Sequence, residues 1–456
     1  MSRILSLLLV LGVVVAAQSP AYISFVTARP ILESLRDDLR PAEFRGRSIA
    51  GIEADWPAWV ERRNREIRAR VERGDEDSII NFLLFGSTFT SEPRLTEQDL
   101  ATGFVSRRPI LERRIADLVA RTAAPAGNER LEFVRAFAAR KGLSLSAAAG
   151  PAGLRTYLDQ SVARVAAERR ELAERATAAI ERVLTNPATG LPEAATLYAE
   201  RGLASDTSLF IDFAVDAALE ALTANAVFAP GMVRRVGIVG PGLDFADKRE
   251  GYDFYPQQTM QPFAVADGLL RHGLAPGGGA AIAAFDVSPR IVQHIERART
   301  RAAAGEGYVI QLARDTAVGW NPNLVAYWKQ FGGRIGTAVP AAAPPAGMPA
   351  EMRAVRVRPE VVRAIEPRDV NVVLQRAAEA PFDLVIATNI LVYYDVFEQS
   401  LALANIASML RPGGILLTNT PIFQLPSIPL TQVGFTDVLY TKESSGRDRI
   451  FWFRRE

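Results

Sequence analysis

A chain of 456 residues is too long for one ordinary domain, so two or three domains are expected. Its 53 basic and 51 acidic residues leave a formal charge of +2, which gives no reason to expect a nucleic-acid partner. The absence of cysteine excludes disulfides, thiolate catalysis and zinc–thiolate sites, and the presence of only two histidines argues against a multi-histidine metal centre, so no metal site is predicted.

The first 21 residues resemble a secretory signal peptide. Arg3 gives a basic start, residues 4–17 form an uncharged apolar run, and small residues follow. This pattern predicts export to the periplasm or secretion. The run is shorter than the roughly 20 residues of a spanning helix, so an uncleaved membrane anchor is the second interpretation. A third interpretation is that the true start codon lies further downstream, or that the segment is a buried N-terminal helix; the protein would then be cytoplasmic.

Residues 22–203 have the pattern of an all-α domain rich in Ala, Arg, Glu and Leu. Asp55 followed by Pro57 predicts a helix that begins there, because aspartate caps helices and proline suits a first turn. Val162, Val165 and Leu172 recur at helical spacing, which favours a domain core over a cofactor site.

Beyond Ser205 the pattern changes to strands that alternate with helices, which predicts a doubly wound, Rossmann-like α/β domain with a mostly parallel seven-stranded sheet. A turn-forming sequence at 444–447 predicts a C-terminal β-hairpin, and the Ala/Pro-rich residues 337–350 predict a linker. The predicted strands are 236–239, 281–285, 354–357, 384–387, 415–418, 433–440 and 449–454. The resulting domains are 1–21 (signal or anchor), 22–203 (helical) and 204–456 (α/β), with insertions at about 245–263 and 307–350.

Two glycines follow the first predicted strand. Gly240 and Gly242 allow a sharp turn and the close approach of a ligand to the backbone. Phe245 stands where a dinucleotide fingerprint has its third glycine, which disfavours an NAD site. Asp286 ends the second strand, where a carboxylate can accept hydrogen bonds from ribose hydroxyls; capping the helix that starts at Pro289 is an alternative role compatible with the first.

Two C-terminal segments, together with the first predicted strand, form an order of strands and loops that is typical of one family. Residues 382–389 have the pattern of an acid-led apolar strand that ends in a small polar loop. Residues 410–417 have the pattern of a helix end, a Pro-Gly-Gly turn and a buried strand. Together with residues 236–242, this order resembles the class I S-adenosylmethionine (SAM)-dependent methyltransferases. The resemblance covers a little over half the chain, from about 205 to 456.

The resemblance implies SAM as cofactor and assigns roles to five residues. Gly240 and Gly242 would hold the methionine part of SAM, and Asp286 would hold the ribose. Asp369 would contact the adenine amine, and Asn389 would face the transferable methyl group. Residues 389–395 also look locally like chemotaxis-receptor methyltransferases, a likeness too short to carry over a glutamate substrate.

The chain departs from the family pattern in three ways. Ile238 replaces the acid of the first motif, and Asp244 replaces the last glycine of the loop. About forty residues separate Gly242 from Asp286, roughly double the family spacing, so a segment is inserted. We expect Asp244 to supply the carboxylate that Ile238 lacks.

The insertions at 253–263 and 320–328 combine aromatic rings, amides and prolines, a composition that suits a shaped acceptor pocket; aromatic packing between the domains is the alternative. The candidate substrate-binding residues are Tyr255, Gln257, Gln258 and Trp320. A general base would help if the acceptor is a hydroxyl or an amine, and the candidates are His272, Tyr393 and Tyr394.

The sequence thus predicts a SAM-dependent methyltransferase that acts on a small-molecule or protein acceptor. A membrane is expected as partner only if the N-terminal segment stays uncleaved. The alternatives are a non-catalytic binding protein with a degenerate methyltransferase fold and, less favoured, an NAD-type oxidoreductase.

Overall fold

The computed structural model describes residues 20–147, 149–185, 196–245, 252–378, 381–442 and 446–456. The predicted signal segment therefore lies almost entirely outside the described residues, as do residues 246–251 of the first insertion and residues 444 and 445 of the turn predicted at 444–447. Within these ranges, no helix combines the length and the apolar character needed to cross a membrane.

The N-terminal half consists of helices that follow one short strand. They are β1 (Ala21–Tyr22), α1 (Phe25–Ser34), two 3-10 turns (Asp37–Leu39 and Ala42–Phe44), α2 (Ile49–Phe85), α3 (Glu97–Ala101), α4 (Arg108–Ala123), α5 (Glu129–Arg140) and α6 (Gly150–Thr185). The start predicted for α2 at Asp55 is wrong. The helix begins six residues earlier because the Ser48 side chain accepts a hydrogen bond from the Gly51 N–H, and Pro57 lies inside it.

The C-terminal half alternates strands and helices. Its first elements are α7 (Leu209–Ala224), β2 (Arg235–Val239), α8 (Gln261–Arg271), β3 (Ala281–Asp286), α9 (Pro289–Ala303), β4 (Tyr308–Asp315), α10 (Pro322–Gln330), β5 (Gly336–Val339) and β6 (Ala350–Val357). They are followed by α11 (Pro359–Arg363), β7 (Ile365–Asp369), β8 (Gln375–Arg376), β9 (Phe382–Ile386), a 3-10 turn (Leu391–Tyr393), α12 (Val396–Met409), β10 (Leu410–Thr418), β11 (Leu430–Leu439) and β12 (Arg447–Arg455).

Seven strands form one sheet in the order β11-β12-β10-β9-β2-β3-β7. The neighbours from β10 to β7 pair in parallel, whereas β12 is antiparallel to both β10 and β11. The chain moves outward from β2 to β3 and β7, then returns to the other side of β2 with β9. The boundary between β2 and β9 is therefore the point where the strand order reverses, at which ligands of such sheets bind beyond the carboxyl ends.

One predicted strand does not belong to this sheet. Residues 354–357 form the end of β6, which lies in the middle of a separate three-stranded antiparallel sheet, β4-β6-β5. The third parallel strand is β7, at the edge of the main sheet. Part of the predicted linker at 337–350 is β5, so the second insertion contributes ordered structure.

Helices cover both faces of the main sheet, because successive side chains of β9 pack into different apolar clusters. Leu384 and Ile386 join an apolar cluster with α7, α8 and α9, whereas Val385 joins a second cluster with α12. That second cluster also contains Ile31 of α1 and Trp59 of α2. The first N-terminal helices therefore complete one face of the sheet. Beyond them, the second half of α2 packs with α4, α5 and α6 around a third cluster.

Candidate functional site

A cleft of about 790 Å³ opens at the carboxyl ends of β2, β3 and β9, where the strand order reverses. The sheet supplies its floor, and α2 together with residues 203–207 lies against it. It is lined by Val71, Leu203, Ala204, Ser205, Asp206, Thr207, Ile211, Val239, Gly240, Gly242, Gln261, Phe285, Asp286, Val287, Ser288, Ile291, Val370, Val372, Thr388, Asn389, Ile390, Tyr393 and Tyr394. Gly240, Gly242, Asp286 and Asn389, which the sequence pointed to separately, thus share one cleft.

The two glycines adopt a backbone conformation that other residues rarely adopt. Gly240 has a φ of +70° and Gly242 a φ of +68°. A Cβ on Gly240 would lie 2.1 Å from the Ile390 side chain, and one on Gly242 would lie 2.7 Å from the Cβ of Thr207. Only glycine allows β2 to turn this sharply while the loop after β9 and the 205–207 segment approach so closely.

Asp286 lies half-buried at the end of β3, with its Oδ1 accepting a hydrogen bond from the Ser288 N–H at 2.8 Å. Burial raises the pKa of Asp286 to about 7, although two backbone hydrogen bonds and Arg290 oppose that shift. The carboxyl is therefore only partly ionised near neutral pH. Donors from a bound ligand would favour its ionised form.

Two polar side chains of the cleft wall, which the sequence did not single out, have unused hydrogen-bonding atoms. The Gln261 Nε2 donates to Thr388 Oγ1 at 3.0 Å, whereas its Oε1 is buried without a partner. The buried Ser288 Oγ also has no partner and does not cap α9. Because an unsatisfied buried polar group costs about 1–3 kcal/mol, such atoms indicate a site for a ligand or water. The only sequence signal was their place, immediately before or at the start of a helix.

Asn389 closes the cleft at the end of β9. Its φ of +58° is unusual for a residue other than glycine. A reciprocal pair of hydrogen bonds holds it there: the Asn389 N–H donates to Asn419 Oδ1 at 2.8 Å, and Asn419 Nδ2 donates to Asn389 Oδ1 at 2.7 Å. This loop is therefore fixed before a ligand arrives.

The cleft has an apolar side, formed by Phe285, Ile291, Val370 and Val372. Asp369, the predicted adenine contact, directly precedes this side but does not line the cleft. Its carboxylate is mostly exposed and pairs with the Arg68 guanidinium at 2.7 Å.

Tyr393 and Tyr394, two of the predicted general bases, do line the cleft. Burial raises the pKa of Tyr393 to about 12 and raises the pKa of Tyr394 as well. Phenols with raised pKa values do not serve as bases near neutral pH, so both residues are better suited to shaping the cleft.

The structure contradicts the role predicted for Asp244. Its buried Oδ2 accepts hydrogen bonds from the Tyr255 hydroxyl at 2.8 Å and from Gln258 Nε2 at 3.1 Å. The three side chains form a buried network beneath the first insertion, outside the lining of the cleft. Tyr255 and Gln258 are therefore structural residues of that loop rather than components of the cleft wall.

Three further candidates lie away from the cleft. His272 directly follows α8, about 16 Å along the helix axis from Gln261, and contacts Asp216 at 3.0 Å. Trp320 is buried and packs edge-on against Phe210, with ring centroids 5.4 Å apart. The Gln257 side chain does not line the cleft either. The second insertion thus packs against the core instead of forming an acceptor pocket. Among the described residues, no group of three or more acidic, histidine or cysteine side chains could hold a metal ion.

No known family model and no curated protein matches this chain. Solved structures that resemble it include many methyltransferases. N-methyltransferase NodS from Bradyrhizobium japonicum WM9 is 15% identical, with 53% of this chain and 94% of that chain covered and a TM-score of 0.26. Magnesium protoporphyrin IX methyltransferase from Synechocystis PCC 6803 with bound SAM is 11% identical, covering 54% and 82%, with a TM-score of 0.26.

The CcbJ methyltransferase from Streptomyces caelestis is 12% identical, with 53% of this chain and 95% of that chain covered and a TM-score of 0.26. At such low identities and TM-scores, the function proposed below rests on the residues of the cleft rather than on these likenesses.

Proposed function

We propose that this protein is a SAM-dependent methyltransferase and that SAM binds in the cleft beyond β2, β3 and β9. One observation carries the proposal: a glycine turn, a carboxyl group and unsatisfied polar atoms surround a single cleft at the reversal point of a parallel sheet. This combination suits a ligand that has a ribose, a planar base and a charged amino-acid tail.

The residues of the cleft fit the parts of SAM. Asp286 can accept hydrogen bonds from the ribose hydroxyls, and the apolar side formed with Val370 and Val372 offers a slot for the adenine ring. The turn at Gly240 and Gly242 leaves backbone next to the space for the amino-acid tail.

Asp206 is the carboxylate best placed to replace the missing acid of the first motif. It lines the cleft, whereas Asp244 is engaged elsewhere. The Asp206 oxygens accept hydrogen bonds from Ser78 Oγ at 2.8 Å and from Asn81 Nδ2 at 3.2 Å. Because a carboxylate offers about four acceptor positions, it can also bind the ammonium group of SAM.

When bound, SAM supplies a methyl group on a positively charged sulfur: an acceptor nitrogen or oxygen forms a bond to the methyl carbon, the carbon–sulfur bond breaks with its electrons on sulfur, and the acceptor's proton leaves to water. The protein's part is to fix the positions of the two reactants, which alone can lower such a barrier considerably. The rigid loop at Asn389 suits that task because its own hydrogen bonds hold it.

Isothermal titration of the full chain with S-adenosylhomocysteine tests the proposal. We expect Asp286→Asn to weaken binding about 100-fold, because two hydrogen bonds to a charged acceptor are weakened. The control is Asp369→Asn, which removes a mostly exposed carboxylate one strand away and should change affinity less than about threefold. Equal affinities of the Asp286 variant and the wild type, or tighter binding of NAD, would contradict the proposal. A wild type that binds neither SAM nor S-adenosylhomocysteine at millimolar concentration would instead support a non-catalytic binding protein.

A further inference from the structure

A second chamber of about 930 Å³ lies beside the cleft, between the α/β half and the N-terminal helices. Its walls come from α2, α6, the segment that precedes α7 and the loop after β9. It is lined by Asp77, Asn81, Val165, Arg169, Tyr198, Arg201, Gly202, Ala204, Asp206, Thr207, Ser208, Asn389 and Tyr393.

The chamber and the cleft have a common wall. Ala204, Asp206, Thr207, Asn389 and Tyr393 line both spaces. A molecule in the chamber would therefore be separated from the contents of the cleft only by these few side chains. None of the described residues of the two predicted insertions lines the chamber, and this explains why the composition of the insertions did not locate it.

The acidic groups of the chamber are already bonded to the protein. Asp77 pairs with Arg164 at 2.9 Å, and the Asp206 oxygens accept hydrogen bonds from Ser78 and Asn81. The charge of Asp77 is thus compensated without a ligand, whereas Asp206 also lines the cleft and is the residue proposed above to bind the ammonium group of SAM.

One arginine of the chamber, Arg201, has a donor that the protein does not use. Arg201 Nη2 lies 3.6 Å from Asp77, too far for a hydrogen bond, and the buried Arg201 Nε has no partner. Arg169 adds a second positive charge to the chamber wall and forms an ion pair with Glu97 at 3.6 Å. Arg201 therefore retains donor capacity for a further acceptor, and a carboxylate is the group whose shape and charge best match a guanidinium.

The chamber also has an aromatic wall. The rings of Tyr198 and Tyr393 meet edge to face, with centroids 6.3 Å apart. Arg70 links this wall to Arg201, because its Nε donates to the Arg201 carbonyl at 2.9 Å and its Nη2 donates to the Tyr393 carbonyl at 2.7 Å. Such a wall suits a planar, partly apolar body.

We propose that this chamber binds the methyl acceptor and that the acceptor is a small aromatic or other planar molecule with a carboxylate. Arg201 binds the carboxylate, Arg169 adds positive charge, and the tyrosine wall holds the body with its nucleophilic atom toward Asn389. That the bound molecule accepts a methyl group rests on the proposed methyltransferase function, but the binding of a planar acid can be tested independently of that function.

The probes are 4-hydroxybenzoate and its uncharged counterpart 4-hydroxybenzamide, titrated into the full chain with and without S-adenosylhomocysteine. We expect the wild type to bind the acid about tenfold more tightly than the amide, since one charge-assisted hydrogen bond distinguishes the two probes. Arg201→Gln should abolish this preference, and Arg169→Gln should reduce it. The control Arg170→Gln, an exposed neighbour on α6 outside the chamber, should leave the preference unchanged.

Each variant is also titrated with S-adenosylhomocysteine, and an unchanged affinity shows that it is folded. Equal binding of acid and amide by the wild type, or a preference that survives in both Arg201→Gln and Arg169→Gln, would overturn the proposal. If the wild type prefers the acid but binds no S-adenosylhomocysteine, the planar-acid site stands and the methyltransferase function fails.

Discussion

The buried arginine of α5 gives the sharpest prediction about how the two halves of the chain depend on each other. Arg130 is only 2% exposed, and within the described residues none of the hydrogen-bond acceptors of its guanidinium is a carboxylate. Instead it donates to backbone carbonyls of the loop between β2 and α8. These carbonyls belong to Asp244, Phe245, Tyr252, Asp253 and Tyr255.

The expected cost of removing this guanidinium follows from those contacts. The bond to Tyr255 is short, at 2.6 Å, and the bond to Phe245 is also short, whereas the other three bonds are 3.2–3.4 Å long. Counting only the two short bonds at about 1.5–3 kcal/mol each gives roughly 4 kcal/mol. Since whole domains are stable by about 5–15 kcal/mol, Arg130→Met should bring the chain close to unfolding.

Urea denaturation followed by far-UV circular dichroism measures this loss. Arg135→Met is the matched control, because Arg135 lies on the same helix with its side chain 50% exposed, and it should change the free energy of unfolding by less than about 0.5 kcal/mol. Arg130→Lys keeps the charge but loses the planar fork of donors and should fall between the two. If Arg130→Met stays within about 1 kcal/mol of the control, the loop does not depend on this residue.

Three further substitutions test other parts of the structure. Asp212 is buried with both carboxylate oxygens unpartnered, and burial raises its pKa well above its usual range. The free energy of unfolding should therefore fall as pH rises above about 4, the ordinary aspartate pKa, and urea melts should show a flatter pH profile for Asp212→Asn. Gly242→Ala would place a Cβ 2.7 Å from a neighbouring side-chain atom at a φ of +68°, so thermal melts should show a loss of more than about 2 kcal/mol in the free energy of unfolding. The control Gly279→Ala, where the added Cβ has open space around it, should lose only about 1 kcal/mol. The Glu398 carboxylate is 1% exposed and pairs with Arg63 at 2.6 Å, so Arg63→Met leaves a buried charge unpaired and should lower the free energy of unfolding by about 3–5 kcal/mol in urea denaturation. Adding Glu398→Gln should recover part of that loss, and no recovery would mean that the pair is not coupled.

The buried parallel strands could be predicted from the sequence because helices cover both of their faces. The run that becomes β9 is continuously apolar for that reason, and Val385 and Ile386 face different clusters. The edge strand β7 escaped prediction because it carries Pro367 and charged residues, a pattern that an edge tolerates and that otherwise indicates a loop. Residues 354–357, a more apolar run at the end of β6, match the strand pattern better, and the sequence therefore predicts them as the strand beside β3.

The candidate site could be predicted only where its residues end strands. Gly240 and Asp286 have that position, and parallel strands bring their carboxyl ends to one edge of the sheet. Asp206 and Gln261 were not found, because residues 203–207 reach the cleft only through the packing of the N-terminal helices against the sheet. Asp244 was misassigned from its closeness to the glycines in sequence, since sequence alone does not show the buried network that takes up its carboxylate.

A crystal structure of the full chain with S-adenosylhomocysteine is the most direct measurement. The cleft residues predict that the ribose hydroxyls donate to the Asp286 carboxylate, with the amino-acid tail beside Gly240 and Gly242 and the adenine ring between Val370 and Ile291. Ligand found on any other surface, or bound in the cleft with its ribose away from Asp286, would contradict the assignment.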